Sequence, residues 1–239
     1  GWSHTGRNLH FGVREHAIAC VKHFALNSID SARFRVDVRA SDRVLHEVYL
    51  PHFRDVIDAG AEAVMTGECP SGTDRVAAAV ADRDEWEIVV NVQGDEPLLA
   101  GDNIDVLVEG LLTDTEFRMS TLCRPLEVER AEDPNAVKVV RDSRGRALYF
   151  SRSPIPYPRH REVAWKLWRL HLGIYAFRRD ALAEFVALPP SELEQAEGLE
   201  QLRALENGIS ILVLDAPHPA FGVDTPEDLQ RVEKIMNGD

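Results

Sequence analysis

Short apolar runs alternate with segments of helical periodicity through the last two thirds of the chain. Residues 87–92 (EIVVNV) form a largely apolar, β-branched run that ends at the turn residues Gln93-Gly94-Asp95, which is typical of a buried parallel strand. Residues 104–112 follow with apolar positions at helical spacing and predict a helix. This alternation predicts an α/β fold with a mixed, mostly parallel sheet and flanking helices on both faces.

The same patterns predict most of the remaining elements. Strands are predicted at residues 118–124, 136–140, 147–150, 170–177 and 209–214, and helices at 76–81, 180–187 and 193–207. A last helix is predicted to begin at Thr225, with Pro226 at its first position. The first 65 residues follow a looser pattern, with strands predicted at 21–26 and 63–66 and a helix at 42–59 that contains Pro51.

Composition narrows the choice of partners and compartment. The 239 residues carry 27 basic and 40 acidic side chains, a net charge of −13, which argues against a nucleic acid polymer or a membrane surface as the main partner. A small anionic ligand needs only a few local cations and stays compatible. The longest apolar runs, 170–177 and 209–214, are far shorter than the roughly 20 residues of a membrane span. Three scattered cysteines form no disulfide or zinc pattern and favour a cytoplasmic location.

Two carboxylates stand where an α/β sheet places its ligands. Asp95 directly follows a predicted buried strand, and Asp224 follows the last strand and a short loop. Ligands bind at the carboxyl ends of such strands, and Mg²⁺ prefers one or two carboxylates together with phosphate oxygens. The alternative is that each Asp only caps the helix that follows it.

For several other polar residues, both a ligand-binding role and a structural role are compatible with the sequence. Residues 70–75 (PSGTDR) lead into a helix, and the backbone N–H groups there can hold a phosphate or a base edge. Arg152 follows a strand and can bind a carboxylate in a bidentate manner, although a lone Arg more often forms a surface ion pair. His171 at a strand end is more often structural. Glu194, Glu197 and Glu200 recur every three residues on a predicted helix, a pattern that usually indicates a solvated face.

Taken together, these segments resemble one enzyme family, the CMP-Kdo synthetases (3-deoxy-manno-octulosonate cytidylyltransferases), over about residues 64–239. The matching blocks are PSGTDR (70–75), VVNVQGDEPLL (89–99), TLCRPL (121–126), NAVKVV (135–140), RALYFSRSPIPYPR (146–159), HLGIYAFRRDAL (171–182), LPPSELEQAEGLEQLRALENG (188–208) and FGVDTPEDL (221–229). The resemblance implies a nucleotidyltransferase that transfers CMP from CTP to 3-deoxy-manno-octulosonate (Kdo) and releases pyrophosphate, for lipopolysaccharide synthesis.

The family pattern also implies roles for particular residues. It makes Asp95 and Asp224 the catalytic carboxylates that hold Mg²⁺. It implies sugar-acid contacts by Gln93, Arg152, His171 and Glu200, and nucleotide contacts by Ser71, Gly72 and Arg75. It also implies an antiparallel excursion around residues 136–177 that carries the sugar site and the contacts of a homodimer.

The N-terminal part departs from the family pattern. Residues 6–17 (GRNLHFGVREHA) are similar to a transketolase motif, and residues 19–66 are similar to family 3 glycoside hydrolases. We therefore divide the chain into a composite segment at 1–63, not native to the fold, and a cytidylyltransferase-like domain at 64–239. The family's phosphate-gripping A-R-x-x-S-x-R-L-P-G-K loop has no match, since Ser31-Ala32-Arg33 continues as Phe34-Arg35-Val36.

The missing loop leaves three hypotheses open. Without it, turnover should fall by several orders of magnitude, because the triphosphate is no longer positioned. A catalytically inactive domain that binds a sugar acid or a nucleotide is the first alternative. A glycoside hydrolase fragment is the weaker one, since Lys22 and His23 match a sugar-binding pair but the nucleophilic Asp has no counterpart.

Overall fold

Seven strands of the described residues form one central sheet. The computed structural model describes residues 17–22, 62, 64–93, 98–159, 167–220 and 234. The strands in these ranges are β1 (Ala17–Lys22), β2 (Ile88–Gln93), β3 (Met119–Pro125), β4 (Lys138–Arg141), β5 (Ala147–Ser151), β6 (Arg169–Arg178) and β7 (Ile211–Asp215). They are ordered β1-β2-β6-β3-β7, with β4 joined to β6 and β5 joined to β4.

The strand directions confirm the predicted fold class. β1 runs parallel to β2, and β3 runs parallel to β7. β6 lies antiparallel between β2 and β3, and the β4–β5 hairpin attaches to the start of β6. Among the described strands only β5 and β6 therefore oppose the common direction, which gives a mixed, mostly parallel sheet. The antiparallel excursion expected around residues 136–177 is β4, β5 and β6.

Helices cover both faces of this sheet. The described helices are α1 (Gly72–Ala79), α2 (Gly101–Thr113), α3 (Arg179–Ala187), α4 (Glu192–Glu197) and α5 (Gln201–Glu206). Alternate residues of β2 enter different apolar clusters: Ile88 and Val90 pack with Leu107 of α2, whereas Val89 packs with Phe185 of α3. A strand that is apolar at successive positions is thus buried on both faces, as its sequence predicts.

The predicted single helix at 193–207 is wrong, because the structure has two short helices there. Ser191 caps α4 with a capping box, and α4 ends at Gly198, whose φ is +62°. The backbone then turns through Leu199 and Glu200 before α5 begins. The prediction placed the stop at Gly208 and missed the earlier glycine, which separates two helical segments of similar periodicity.

Two N-terminal strand predictions also differ from the structure. The predicted strand at 63–66 is wrong, since residues 64–66 have no regular structure; Val64 and Met65 are 44% and 93% exposed and give a strand nothing to pack against. The first described strand is Ala17–Lys22, which pairs in register with β2 and begins four residues before the predicted strand at 21–26. Residues 23–26 of that prediction lie outside the described residues. The helices predicted at 42–59 and from Thr225 lie outside the described residues.

In the described ranges, no helix has the length and apolar character needed to cross a membrane. Cys20, Cys69 and Cys123 are free thiols. Burial raises the pKa of the Cys20 and Cys123 thiols to about 11, so both stay protonated at neutral pH.

Candidate active site

The candidate site lies at the edge where the parallel strands end. Asn91 and Gln93 lie on the same face of β2 near its carboxyl end, and Thr121 lies in β3. β6 runs the other way, so its early residue His171 reaches the same edge. The Gln93 amide links two of these strands, because its Nε2 atom donates to the Gly173 carbonyl at 3.4 Å.

His171 is buried in a polar contact at this edge. Its Nε2 atom lies 2.9 Å from Thr121 Oγ1, and its ring packs edge-on against Phe150 with 4.9 Å between centroids. The β3–β6 register shifts between Thr121 and Leu122, which brings Thr121 Oγ1 to 3.1 Å from the Leu172 carbonyl and 2.8 Å from the Ile174 carbonyl. The single hydroxyl proton goes to one of these carbonyls, so the imidazole Nε2–H donates to Thr121.

This environment keeps the His171 ring neutral. Burial lowers the pKa of His171 from 6.5 to about 3, so the imidazolium form is absent at physiological pH. With Nε2–H committed to Thr121, Nδ1 is left as an acceptor. His171 is therefore suited to accept a hydrogen bond from a hydroxyl, and it supplies no positive charge for a carboxylate.

Arg152 provides the positive charge that His171 does not. Its guanidinium donates only to backbone carbonyls: Nε to Glu197 at 2.7 Å, Nη1 to Pro134 at 2.9 Å and Nη2 to Gly198 at 3.3 Å. Within the described residues no carboxylate forms an ion pair with it, in contrast to most of the described arginines. The surface ion pair considered for Arg152 is thus not formed there, and its charge is free to bind an anion.

The side chains of Lys138 and Glu197 hold the backbone around Arg152. Lys138 is fully buried, and its Nζ donates to the Arg152 carbonyl and to the Asp133 carbonyl. The Glu197 carboxylate accepts the Ser151 hydroxyl at 2.6 Å and the Arg152 backbone N–H at 2.9 Å. The segment after β5 is therefore fixed to α4 and to β4, which positions the Arg152 guanidinium.

The three glutamates expected on a solvated helix face have separate roles. Glu194 forms a buried pair with Arg203, and Glu197 binds the start of the Arg152 segment. Glu200 lies just before α5, and its Oε2 accepts the Thr73 hydroxyl at 2.7 Å. The solvated-face interpretation is therefore wrong, because the break at Gly198 turns these residues toward the sheet edge.

The predicted nucleotide-side residues open α1. The Ser71 hydroxyl accepts the backbone N–H groups of Thr73 and Asp74 at 3.1 and 3.2 Å and so caps the helix, with Gly72 as its first residue. The Arg75 guanidinium donates to Thr66 Oγ1 at 2.7 Å and to the Gly67 carbonyl at 3.4 Å. The N-terminal turn of α1 contacts Glu200, one of the residues predicted to bind the sugar acid, through the Thr73–Glu200 hydrogen bond.

The predicted magnesium ligands cannot be placed on this edge. Asp95 and Asp224 lie outside the described residues, and the described part of the chain contains no group of three or more His, Cys, Asp or Glu side chains suited to a metal ion. The Mg²⁺ site therefore stays a prediction.

The structure thus joins most of the predicted residues and adds four that sequence reasoning did not single out. Gln93 and His171 lie at this edge on β2 and β6, and Arg152 is held by the end of α4. Glu200 binds Thr73 of α1, the helix whose first turn contains Ser71, Gly72 and Arg75. The additional polar residues are Thr73, Asn91, Thr121 and Lys138, all of them buried. The sequence signal that could have found them is a polar residue within an otherwise apolar strand or helix pattern. The contacts that these residues make depend on tertiary packing, which the sequence pattern does not contain.

Comparison with known proteins identifies the class. The family model "Cytidylyltransferase" matches residues 52–211. The 3-deoxy-manno-octulosonate cytidylyltransferase of Anaeromyxobacter sp. (strain Fw109-5) is 51% identical over 179 residues, which cover 74% of this chain and 72% of the relative. The enzyme of the same name from Bdellovibrio bacteriovorus is 41% identical over 214 residues, 86% of each chain.

A solved structure agrees with this assignment. CMP:2-keto-3-deoxy-manno-octonic acid synthetase complexed with CTP is 36% identical, with a TM-score of 0.76, and the match covers 99% of this chain and 86% of that chain. The protein is therefore a nucleotidyltransferase of the cytidylyltransferase class. It belongs to the 3-deoxy-manno-octulosonate cytidylyltransferase family.

The similarity extends into the N-terminal segment. Residues 64–239 make up 176 of 239 residues, about 74% of the chain, whereas the Bdellovibrio alignment covers 86%. β1, which lies inside residues 1–63, pairs with β2 in the common sheet. The resemblance of this segment to transketolases and glycoside hydrolases, and the division of the chain at residue 63, stay predictions.

Proposed function

We propose that the protein transfers CMP from CTP to 3-deoxy-manno-octulosonate and releases pyrophosphate, as a step in lipopolysaccharide synthesis. The observation that carries the proposal is the Arg152 guanidinium, which three backbone carbonyls hold without an acidic partner among the described residues. A sugar acid supplies the missing carboxylate. The names of the relatives and of the CTP complex support the same substrates.

The reaction needs positioning more than covalent chemistry. The anomeric hydroxyl of the sugar attacks the α-phosphorus of CTP and gives up its proton to solvent. The bond from that phosphorus to the bridging oxygen breaks, and pyrophosphate leaves with the bonding electrons. The protein must hold both substrates in line and offset the charge on the phosphates. A neutral His171, which packs against Phe150 two residues before Arg152, suits the recognition of uncharged sugar hydroxyls.

The proposed contacts divide between the two substrates. Arg152 binds the sugar carboxylate, while Gln93, His171 and Glu200 bind sugar hydroxyls. The N-terminal turn of α1, with Ser71, Gly72 and Arg75, binds the nucleotide. Asp95 and Asp224 would hold Mg²⁺, which would offset the charge of the triphosphate when bound.

Variants of two arginines test the proposal. Arg152→Gln removes the unpaired guanidinium, and Arg144→Gln removes a surface guanidinium paired with Glu116 as the matched control. With pyrophosphate release as the assay, we expect Arg152→Gln to raise the KM for the sugar acid at least tenfold and to change the KM for CTP less than twofold. Arg144→Gln should leave both values unchanged.

Two results would refute parts of this proposal. Equal effects of Arg152→Gln and Arg144→Gln would contradict the role of Arg152 in carboxylate binding. Binding of the sugar acid in calorimetry without any pyrophosphate release would favour the inactive binding domain over the enzyme. The homodimer and the cytoplasmic location stay predictions.

A further inference from the structure

Thr73 occupies the junction between the two halves of the candidate site. It is 3% exposed and is the second residue of α1, next to the proposed nucleotide contacts. Its hydroxyl donates to Glu200 Oε2 at 2.7 Å, and the Asn91 Nδ2 group lies 3.4 Å from the same oxygen. One hydroxyl therefore connects α1, β2 and the start of α5.

We propose that Thr73 is a positioning residue that fixes the Glu200 carboxylate for sugar-acid binding and ties it to the nucleotide-side helix. The inference rests on the proposed function, because it assigns Glu200 to the sugar. It concerns a residue that needs to touch neither substrate and acts through its hydrogen bond to Glu200.

The hydrogen-bond chain has a fixed direction. The Asn91 Nδ2 group can only donate and an ionised carboxylate can only accept, so the Thr73 hydroxyl accepts from Asn91 and donates to Glu200. A hydrogen bond to a charged acceptor at 2.7 Å is among the stronger ones in proteins. Loss of the hydroxyl therefore releases one oxygen of the Glu200 carboxylate from its fixed position.

The other polar atoms of this cluster lack partners. Glu200 Oε1, Asn91 Oδ1 and Gln201 Nε2 are buried and make no hydrogen bond to any described residue. Arg203 Nη2 lies 3.9 Å from Glu200 Oε1, which is too far for a hydrogen bond. The Nε and Nη2 atoms of Arg203 donate to the Glu194 carboxylate instead. Thr73 thus holds one carboxylate oxygen, whereas the other is buried and keeps unused acceptor capacity.

A purely structural role for the Thr73 hydroxyl would have a different pattern. The cap of α1 is Ser71, whose side chain accepts the Thr73 and Asp74 backbone N–H groups. Valine at position 73 keeps the shape of threonine and its backbone N–H, so this cap stays in place. The hydroxyl is then needed only for its contacts with Asn91 and Glu200.

A double-mutant cycle tests the inference. Thr73→Val removes the hydroxyl, Thr73→Ser keeps it as the matched control, and Glu200→Ala removes its acceptor. Calorimetry gives the Kd of the sugar acid and of CTP separately for each protein, and pyrophosphate release gives the KM values. The double variant Thr73→Val with Glu200→Ala completes the cycle.

The expected pattern is specific to one substrate. Thr73→Val should weaken sugar-acid binding about tenfold, as for the loss of a hydrogen bond to a charged group. Thr73→Ser should change it less than twofold, and the Kd of CTP should change less than twofold in both variants. In the Glu200→Ala background, Thr73→Val should have no further effect, because its acceptor is already gone.

Contrary outcomes separate this inference from the proposed function. Equal binding by Thr73→Val and Thr73→Ser, or additive losses in the cycle, would overturn the positioning role while the wild-type protein remains active. Equal weakening of both substrates would show that Thr73 only stabilises α1, and would also overturn it. A wild-type protein that neither binds the sugar acid nor releases pyrophosphate would refute the proposed function, and this inference with it.

Discussion

The buried His171 makes stability depend on pH in a way that can be measured. In the folded protein burial lowers the pKa of His171 from 6.5 to about 3, while the unfolded chain keeps the ordinary value. At a pH between these two pKa values, the unfolded state binds a proton on His171 that the folded state does not bind. The contribution of the neutral ring is therefore complete above pH 6.5 and is lost progressively as the pH falls toward 3.

The size of the effect follows from the two pKa values. A pH of 5 lies 1.5 units below the pKa of 6.5 that the histidine has in the unfolded chain. Because each unit corresponds to 1.36 kcal/mol, protonation of the unfolded chain lowers the free energy of unfolding by about 2 kcal/mol at this pH. His171→Gln keeps a donor that can reach Thr121 and removes the titration. The stability difference between wild type and variant should therefore shift by about 2 kcal/mol between pH 7.5 and pH 5.

Urea denaturation of both proteins at the two pH values measures this shift. Other titrating groups occur in both proteins and cancel in the double difference. A shift below about 0.5 kcal/mol would show that the folded protein accepts the proton on His171 at pH 5, and would refute the neutral ring. Sugar-acid recognition through a neutral acceptor would then fail as well.

Further predictions concern the two helices beside Arg152. Glu194→Ala should destabilise the protein by about 3 kcal/mol in urea denaturation, because it removes the carboxylate that binds the buried Arg203 and leaves Glu200, 3.9 Å away, to offset that charge; an effect below 1 kcal/mol would contradict this. Burial raises the pKa of Glu194, but hydrogen bonds from Arg203 and Ser191 outweigh burial and lower it overall, so this loss should shrink as the pH falls through that lowered pKa. Gly198→Ala should cost about 1 kcal/mol in the same assay, since φ is +62° there, and should raise the KM for the sugar acid because Arg152 binds the Gly198 carbonyl. An unchanged KM would show that this carbonyl does not position Arg152.

Local patterns predict the elements of the fold better than their ends. β2 and α2 are recognisable because burial on both faces of a strand and on one face of a helix leaves a pattern in a few consecutive residues. The break at Gly198 is hidden, since the residues on both sides are good helix formers with similar periodicity. β1 begins four residues before the predicted strand, because pairing with β2 includes Ala17 to Cys20, which local composition did not mark.

The candidate site was only partly predictable for the same reason. Gln93, Arg152, His171 and Glu200 stand in blocks that resemble a known family, so the sequence points to them directly. The uncharged state of His171 follows from the packing of Phe150 and Thr121 around it. The link from Thr73 to Glu200 joins residues 127 positions apart, and no local pattern contains it.

Pyrophosphate release from CTP, measured with and without 3-deoxy-manno-octulosonate in the presence of Mg²⁺, tests the central claim most directly. The control is Asp95→Ala, which removes a proposed magnesium ligand. We predict release that requires the sugar acid and disappears in the control. No sugar-dependent release from a protein that unfolds cooperatively would contradict the account.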